Sequence, residues 1–479
     1  MRRTVAVLAT VVLPAGVIAW STRSDAEPAR QPLFAELAAP SMPFVPGAGL
    51  LNSTWYCAGV PISGDGLGGS VTIANPGDVP ISGRVTAFTT ADGLAPAEYD
   101  FEVEARESLQ VDLKELQPQG DYVSAMVEVS GTGFVEQIAE HADGNAVSPC
   151  ANSPAATWYF ADNYTLGESE EDLVITNPFP DDAILDLTFA TPEVTRSPNA
   201  LQGVPVPGRS IVVIDESLLL KDEAVYAITI DATRGRVVAA RAQRYRDERR
   251  GYTLSLGAPA ASIGWHFAGG YKDGENFERI SIYNPTGELA QVVPLYFGID
   301  DETFVSNRDA IDVPAGRIVS YTLDNVPDLP LGRHGVAFSS VNDVPIVVEM
   351  AVTVIEGGSR VTSLVQGVEE YFTSPGSSRW SMAIGPAQAT TEALLVMNLA
   401  FGDATVAVKA LGPGGEVDVP GLEAVSVPAN GLVAIDIPQA TAALGTALFV
   451  VSDQPVIVQR LLPRGRDLAG RSASLALPG

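Results

Sequence analysis

The stretch Trp158-Tyr159-Phe160-Ala161 and its relatives decide the fold of this 479-residue chain. Versions of it begin at Trp55, Trp158, Trp265 and Trp380, with gaps of 103, 107 and 115 residues. An apolar run ending in Asn follows each one, at Asn75, Asn177, Asn284 and Asn398, and Pro follows the first three of these. We number these the first and second landmarks. The third is Val313-Pro314-Ala315-Gly316-Arg317, the fourth is the turn and strand at residues 343–349, and the fifth is the closing strand at residues 360–364, with counterparts in the other copies. The first copy has only Val103-Glu104-Ala105-Arg106 at the third landmark. The spacing predicts one module copied four times.

The landmarks predict β-structure. Short β-branched runs such as residues 211–214 are bounded by Gly, Pro, Asn and Asp, and strands every 8–12 residues over roughly 100 residues are typical of sandwiches. Each Asn-Pro predicts a corner between strands, because the Asn side chain can bond its own backbone. Helical periodicity is confined to residues 109–116 and 216–222.

We therefore predict an all-β chain of four tandem Ig-like β-sandwiches after an N-terminal hydrophobic helix and a Pro-rich linker. The predicted segments are 1–26 (signal peptide or signal anchor), 27–50 (Pro-rich stalk), and sandwiches at 51–153, 154–261, 262–376 and 377–479. A rigid rod of four such domains would extend well beyond a membrane.

The tryptophans are predicted to anchor the cores. In a strand, alternate residues share a face, and the residues two positions along are all apolar: Cys57, Phe160, Phe267 and Met382. The alternative is an exposed stacking platform for a sugar. The opposite face carries Tyr56, Tyr159, His266 and Ser381. We expect that face to be wet, and its Tyr56, Tyr159 and His266 to form part of a candidate binding surface.

The N-terminus indicates export. Arg2 and Arg3 precede the uncharged residues 4–20, a pattern typical of a secretory signal or of an uncleaved membrane anchor. Both outcomes stay open, and either predicts an extracytoplasmic location in the cell envelope. Cys57 and Cys150 belong to one module, and an oxidising compartment favours a disulfide between them over two buried thiols.

Charge limits the partners. With 29 basic and 58 acidic residues the net charge is −29, which argues against nucleic acid. Basic residues concentrate in one run: Arg234, Arg236, Arg241, Arg244, Arg246, Arg249 and Arg250. This run is either the solvated face of a hairpin or a docking patch for an anionic polymer or lipid headgroup. Arg241, Arg244 and Arg246 complete the candidate binding surface.

Motifs for chemistry are missing from the sequence. It contains no Gly-x-Ser-x-Gly, His-Glu-x-x-His, P-loop or Cys-x-x-Cys, so we expect no catalytic residue, cofactor or metal. The acidic loop around Glu168 and Glu170 is interpreted as solvated rather than as a Ca²⁺ site, because its carboxylates do not recur in register.

The pattern Trp-Tyr-Phe-Ala, strand-Asn-Pro, Val-Pro-Ala-Gly-Arg and Pro-Ile-Val-Val-Glu resembles a repeat of bacterial extracytoplasmic proteins. In particular it resembles an uncharacterised family of actinobacterial envelope proteins with one N-terminal hydrophobic segment and no assigned activity. The resemblance covers residues 50–479 and departs from the pattern at Ser381 and Leu399. It implies an envelope location and a non-catalytic role, and supplies no functional residues.

Three functions follow as hypotheses. The first is a non-catalytic structural or interaction scaffold at the cell surface, with an envelope protein or a cell-wall polysaccharide as partner. The alternative is an array of carbohydrate-binding modules that assists cell-wall glycan assembly. The third, an enzyme with an unrecognised site, has no cluster of titratable residues in the sequence to support it.

Overall fold

The computed structural model describes residues 41–479 apart from short internal gaps. The gaps are 48–49, 217–219, 247–248, 275–276, 300–305, 308, 357, 371–375, 386–391, 439–440, 443, 446 and 466–467. The predicted N-terminal helix, signal or anchor, and residues 27–40 of the predicted stalk, lie outside the described residues. Within the described part, no helix is both long and apolar enough to span a bilayer.

The described chain is nearly all β, as predicted. Residues 52–149 contain a short helix, α1 (Leu113–Leu116), and eight strands: β1 (Asn52–Pro61), β2 (Gly66–Ala74), β3 (Ile81–Thr89), β4 (Ala97–Val103), β5 (Ser108–Asp112), β6 (Tyr122–Ser130), β7 (Phe134–His141) and β8 (Ala146–Pro149). Residues 157–256 contain a 3₁₀ turn (Asn199–Leu201) and nine strands: β9 (Thr157–Asn163), β10 (Glu170–Asn177), β11 (Ala183–Ala190), β12 (Thr195–Arg196), β13 (Val204–Val206), β14 (Ser210–Asp215), β15 (Tyr226–Arg234), β16 (Val238–Tyr245) and β17 (Gly251–Leu256).

The second half of the chain continues in the same way. Residues 264–369 contain a 3₁₀ turn (Leu323–Asn325) and ten strands: β18 (Gly264–Lys272), β19 (Phe277–Asn284), β20 (Ala290–Ile299), β21 (Ser306–Asn307), β22 (Ile311–Val313), β23 (Arg317–Thr322), β24 (Gly332–Ser340), β25 (Val347–Glu356), β26 (Ser359–Gln366) and β27 (Val368–Glu369). Residues 377–478 contain nine strands: β28 (Ser377–Met382), β29 (Glu392–Asn398), β30 (Ala404–Gly412), β31 (Gly415–Asp418), β32 (Val425–Val427), β33 (Gly431–Ile437), β34 (Leu448–Pro463), β35 (Arg471–Leu475) and β36 (Leu477–Pro478). We call these four regions the first to fourth copies.

Strand order recurs from copy to copy. The first copy has one sheet in the order β1-β6-β3-β4 and a second in the order β5-β2-β7-β8. The second copy pairs β9, β15, β11 and β12 in one sheet and β14, β10, β16 and β17 in the other. The third copy repeats these pairings, with β18, β24 and β20 in one sheet and β23, β19, β25 and β26 in the other. In the fourth copy the long β34 takes part in both sheets, and a short parallel contact between β20 and β33 joins them to the first sheet of the third copy.

The four tryptophans are core anchors, as predicted. Trp55, Trp158, Trp265 and Trp380 are each at most 1% exposed. In three copies the indole Nε1 donates to a backbone carbonyl at the start of the fourth landmark, as Trp158 does to Val237 at 2.9 Å and Trp265 to Ile346 at 2.8 Å. Because a buried indole N–H needs an acceptor, this bond orients each Trp as well as burying it.

The asparagines that recur in the four copies join distant strands in addition to forming the predicted turn. Asn177 is fully buried, and its Nδ2 donates to Asp181 O at 2.8 Å and to Val206 O at 3.0 Å. Its Oδ1 accepts from Phe179 N at 3.0 Å. Asn75, Asn284 and Asn398 make the same set of bonds. The Asn corner is therefore also a clamp on the strand that leads into the third landmark.

The predicted disulfide between Cys57 and Cys150 is present. It joins β1 to the segment after β8, where Tyr56 and Ala151 also exchange backbone hydrogen bonds at 2.8 Å. A cross-link that closes a loop of this length stabilises the fold by about 5 kcal/mol at most on chain-entropy grounds.

The four copies close on themselves, so a linear rod is wrong for residues 41–479. In each copy, the strand that ends the second sheet contacts the corresponding strands of the two neighbouring copies. The contacts follow a cyclic order: β8 contacts β17, β17 contacts β26, β26 contacts β35, and β35 contacts β8. Two contacts join the fourth copy to the first. Asn145 N donates to Arg464 O at 2.7 Å, and the rings of Phe134 and Phe449 lie 5.9 Å apart. One apolar cluster contains residues of the first, second and fourth copies.

Neighbouring copies stack sheet against sheet. Thr176 of the second copy donates to Ser124 of the first at 2.8 Å, and Tyr283 of the third copy packs 6.3 Å from Tyr159 of the second. Strands β10 and β19 are buried along most of their length, because both of their faces are covered. The apolar runs in these strands serve two interfaces at once.

Candidate functional site

Four equivalent hairpin turns meet at one end of the four closing strands. They join β7 to β8, β16 to β17, β25 to β26 and β34 to β35. Hydrogen bonds hold them together: Thr362 N donates to Arg250 O at 2.7 Å, and Asn145 N donates to Arg464 O at 2.7 Å. Turns that lie far apart in sequence thus form one surface around the axis of the ring.

This surface contains an arginine-lined cavity, which we call the axial pit. It measures about 510 Å³ and its charged lining comprises Asp143 from the first copy, Arg246 and Arg250 from the second, Arg360 from the third and Arg464 from the fourth. A second cavity of about 660 Å³ shares Arg246 and Arg250 with it and adds Arg244. In a chain of net charge −29, such a local excess of cations attracts anions to this end of the ring.

Asp143 accepts hydrogen bonds from several arginines around the pit. It accepts from Arg244 Nε at 2.9 Å and from Arg246 Nη2 at 3.1 Å, and its backbone carbonyl accepts from Arg464. Burial acts to lower the pKa of Arg244, but its bonds to Asp143, Glu170 and Asp65 outweigh this and raise it. The arginines are therefore held in place as fixed cations.

Arg250 differs from the other arginines around the pit in its contacts. Its side chain is exposed and, within the described part of the chain, makes no hydrogen bond or ion pair. The guanidinium carries five N–H donors in a fork that matches carboxylate and phosphate oxygens. It can thus bind an incoming anion without first breaking a bond within the protein.

Two of the predicted arginines reach this site and one does not. Arg244 and Arg246 line the cavities, as a docking patch would require. Arg241 is fully buried between the second and third copies, with its Nη2 3.1 Å from Glu349 Oε1 and its Nη1 2.8 Å from Asp162 O. Its inclusion in a surface was wrong, because the third copy covers that face of β16.

The predicted wet face is also wrong. His266 and Ser381 are buried, and Tyr56 and Tyr159 are half-buried, because the next copy stacks on this face. Burial lowers the pKa of His266 to about 4, so its ring is neutral at pH 7. The structure therefore offers no open aromatic platform at these positions.

Sequence reasoning missed Asp143, Arg360 and Arg464 as parts of one site. Asp143 and Arg464 stand in the turn between the fourth and fifth landmarks, and Arg360 is the second residue of the strand that follows this turn. Each is next to or near a glycine, as at Arg464-Gly465. A comparison of that turn across the four copies would have found them. Among the described residues, no group of three or more His, Cys, Asp or Glu side chains is arranged to hold a metal ion.

Comparisons with known proteins agree with an uncharacterised family. Residues 134–371 match the model of a family of unknown function, DUF5719. No curated protein matches the chain. Among solved structures, the crystal structure of Thermotoga maritima 1070 is similar to 23% of this chain and 96% of its own, at 18% identity and a TM-score of 0.20.

Proposed function

We propose that this chain is a non-catalytic interaction scaffold of the cell envelope, which holds an anionic group of its partner in the axial pit. The observation that carries the proposal is the convergence of Arg246, Arg250, Arg360 and Arg464, drawn from three copies of the repeat, around a single Asp143. Arg246 and Arg464 are already held by Asp143, and guanidinium groups fixed in this way bind carboxylate or phosphate oxygens more strongly than mobile surface arginines do.

The partner presents a localised charge rather than a long polyanion. The net charge of −29 repels extended anionic chains, because many of their charges would come within the Debye length of about 8 Å of the acidic surface. Only a group that enters the pit gains the short-range contacts with its arginines. A phosphate or carboxylate of a cell-wall polymer, or of an envelope protein bound to it, meets this requirement.

The proposal includes the architecture and location predicted from sequence. The four copies act as four Ig-like sandwich modules with the boundaries given above, and the recurrent sheet order supports this. The N-terminal segment exports or anchors the protein in an actinobacterial envelope. The Cys57–Cys150 disulfide is in keeping with an oxidising compartment. The alternative of a carbohydrate-binding array has no support from the half-buried Tyr56 and Tyr159.

Calorimetric titration of the purified chain tests the function. Inorganic phosphate is the probe of a localised charge at low and at physiological salt. A purified phosphodiester-linked wall polymer is the extended polyanion for comparison, and we expect it to bind no more tightly per phosphate. We expect binding that weakens as salt rises, and at least tenfold weaker binding by Arg250→Ala, since this side chain can be removed without breaking an internal contact.

The matched control is Arg84→Ala. Arg84 is also an exposed arginine, but it lies on β3 and pairs with Glu98 and Asp100. Equal loss of affinity in the two variants would mean that the anion binds through general surface charge. Absence of binding by the unmodified chain would exclude the axial pit as an anion site.

A further inference from the structure

A third cavity, between the second and third copies, combines buried cations with an apolar mouth. It measures about 340 Å³. Arg249 and Arg279 lie at its inner end and are only 2% and 4% exposed. Phe277 and Ile355 at its rim are 45% and 38% exposed, and Leu166 is half-buried beside them. The cavity is distinct from the axial pit, although Arg360 borders both.

The two buried arginines share a single carboxylate. Asp162 is fully buried and accepts from Arg249 Nη1 at 3.1 Å and from Arg279 Nε at 2.9 Å. Both guanidinium groups also lie over the ring of Tyr164, at 4.5 and 5.7 Å from its centroid. Burial acts to raise the pKa of Asp162, but the charges of Arg249 and Arg279 outweigh this effect and lower it.

The neighbouring carboxyl groups do not balance the second cation. Glu349 is already paired with Arg241 at 3.1 Å. Burial raises the pKa of Glu171 to about 8, so this group is mostly protonated at pH 7. Burial, and then the charge of Arg249, lower the pKa of Arg279. Within the described part of the chain, Arg249 Nη2 is buried and has no hydrogen-bond acceptor.

A buried cation without a counter-charge is costly, and an anion that enters the cavity would relieve that cost. The exposed apolar rim indicates what the rest of the ligand looks like, since aliphatic atoms gain about 25 cal/mol per Å² on leaving water. We propose that this cavity binds a carboxylate that carries a short aliphatic chain, with the carboxylate facing Arg249 and Arg279 and the chain against Phe277 and Ile355.

Titration of the purified chain with octanoate tests this proposal. Acetate has the same head without the chain, and octanol has a chain of the same length without the charge. We expect octanoate to bind at least tenfold more tightly than either one, because it alone satisfies both parts of the cavity. Equal binding of octanol and octanoate would overturn the proposal by showing that charge is not recognised.

A variant at the rim avoids damage to the buried ion pairs. Phe277→Asp places a negative charge in the mouth at an exposed position, and we expect at least a tenfold loss of octanoate affinity. Leu289→Asp is the matched control, because Leu289 is 44% exposed in the same copy and does not line the cavity. Equal affinities in the two variants would also overturn the proposal. Arg250→Ala should weaken only the binding that acetate shares with octanoate and should leave the excess affinity for octanoate unchanged, which separates this cavity from the axial pit.

Discussion

At the scale of single residues, arginines of one short run have opposite environments. Arg241 is buried and bridged to Glu349, whereas Arg250, nine positions later, is exposed in a turn. Burying an arginine requires acceptors, and the Nη1 and Nη2 of Arg241 donate to carbonyl, amide and carboxylate oxygens. Its buried Nε has no acceptor among the described residues. Some arginines of the run are therefore buried between copies and others are exposed, and the charge pattern alone does not show which.

Glu216 makes stability depend on pH. Burial, aided by the charges of Glu171 and Asp215, raises its pKa to about 9. A raised carboxyl pKa stabilises the fold fully below the unfolded value of about 4.5, and this contribution is lost as pH rises through about 9. We expect the free energy of unfolding to fall from pH 5 to pH 9, and Glu216→Gln to flatten that fall in denaturant titrations. Glu102→Gln, at an exposed position, should keep the slope of the unmodified chain.

At the scale of elements, the Asn corners explain why the second and third landmarks recur together. The amide of each Asn bonds the carbonyl of a Val about 29 positions later, as Asn177 does with Val206. Corner and clamp are thus one unit, and a copy that kept only one of them would leave buried backbone groups unpaired. In the first copy Val103 occupies this place although the Pro-Gly-Arg landmark is missing.

Asn177→Ala should destabilise the chain by about 2 kcal/mol or more, since two buried carbonyls and one N–H lose their partner. Urea unfolding followed by circular dichroism measures the change. Asn199→Ala, at an exposed position of the 3₁₀ turn, should change stability by no more than about 0.5 kcal/mol. A similar effect from both substitutions would contradict the clamp.

At the scale of the whole described unit, closure of the ring places the ends of the repeat array in contact. Glu136 in β7 accepts from the backbone N–H of Ile384 at 2.9 Å, a contact across nearly 250 positions. The same arrangement joins Glu349 to the second copy, where Ala161 N donates to it at 2.8 Å. The interface of the first copy with the fourth and that of the second copy with the third therefore use the same kind of contact.

A chain that ends at residue 376 tests this closure. Without the fourth copy, β7 and β8 lose their contacts with Phe449 and Arg464. We expect amide hydrogen exchange in β7 and β8 to become at least tenfold faster, because less apolar surface protects them. Strand β10 of the second copy is the internal reference. Unchanged exchange in β7 and β8 would instead support independent, linearly linked domains.

Local pattern predicted the all-β fold class, the burial of the tryptophans and the turn at each Asn. Each of these depends on residues in or near one strand, where side-chain alternation and turn chemistry act. The disulfide was predicted from two cysteines in one module and an oxidising compartment. The candidate site was predicted only in part: Arg244 and Arg246 reach it, whereas Tyr56, Tyr159, His266 and Arg241 are occupied by contacts between copies. A strand pattern shows that two faces differ but not which face a neighbouring domain will cover.

The sequence by itself therefore determined the copy number of the landmarks, their β-structure and the inward direction of each tryptophan, since these follow from periodicity within about 100 residues. Only the tertiary structure decided that the copies close into a ring, that their hairpin turns converge, and that Asp143, Arg250, Arg360 and Arg464 line one pit. The physical reason is that ring closure depends on packing between surfaces hundreds of residues apart, and no local pattern records which of those surfaces meet.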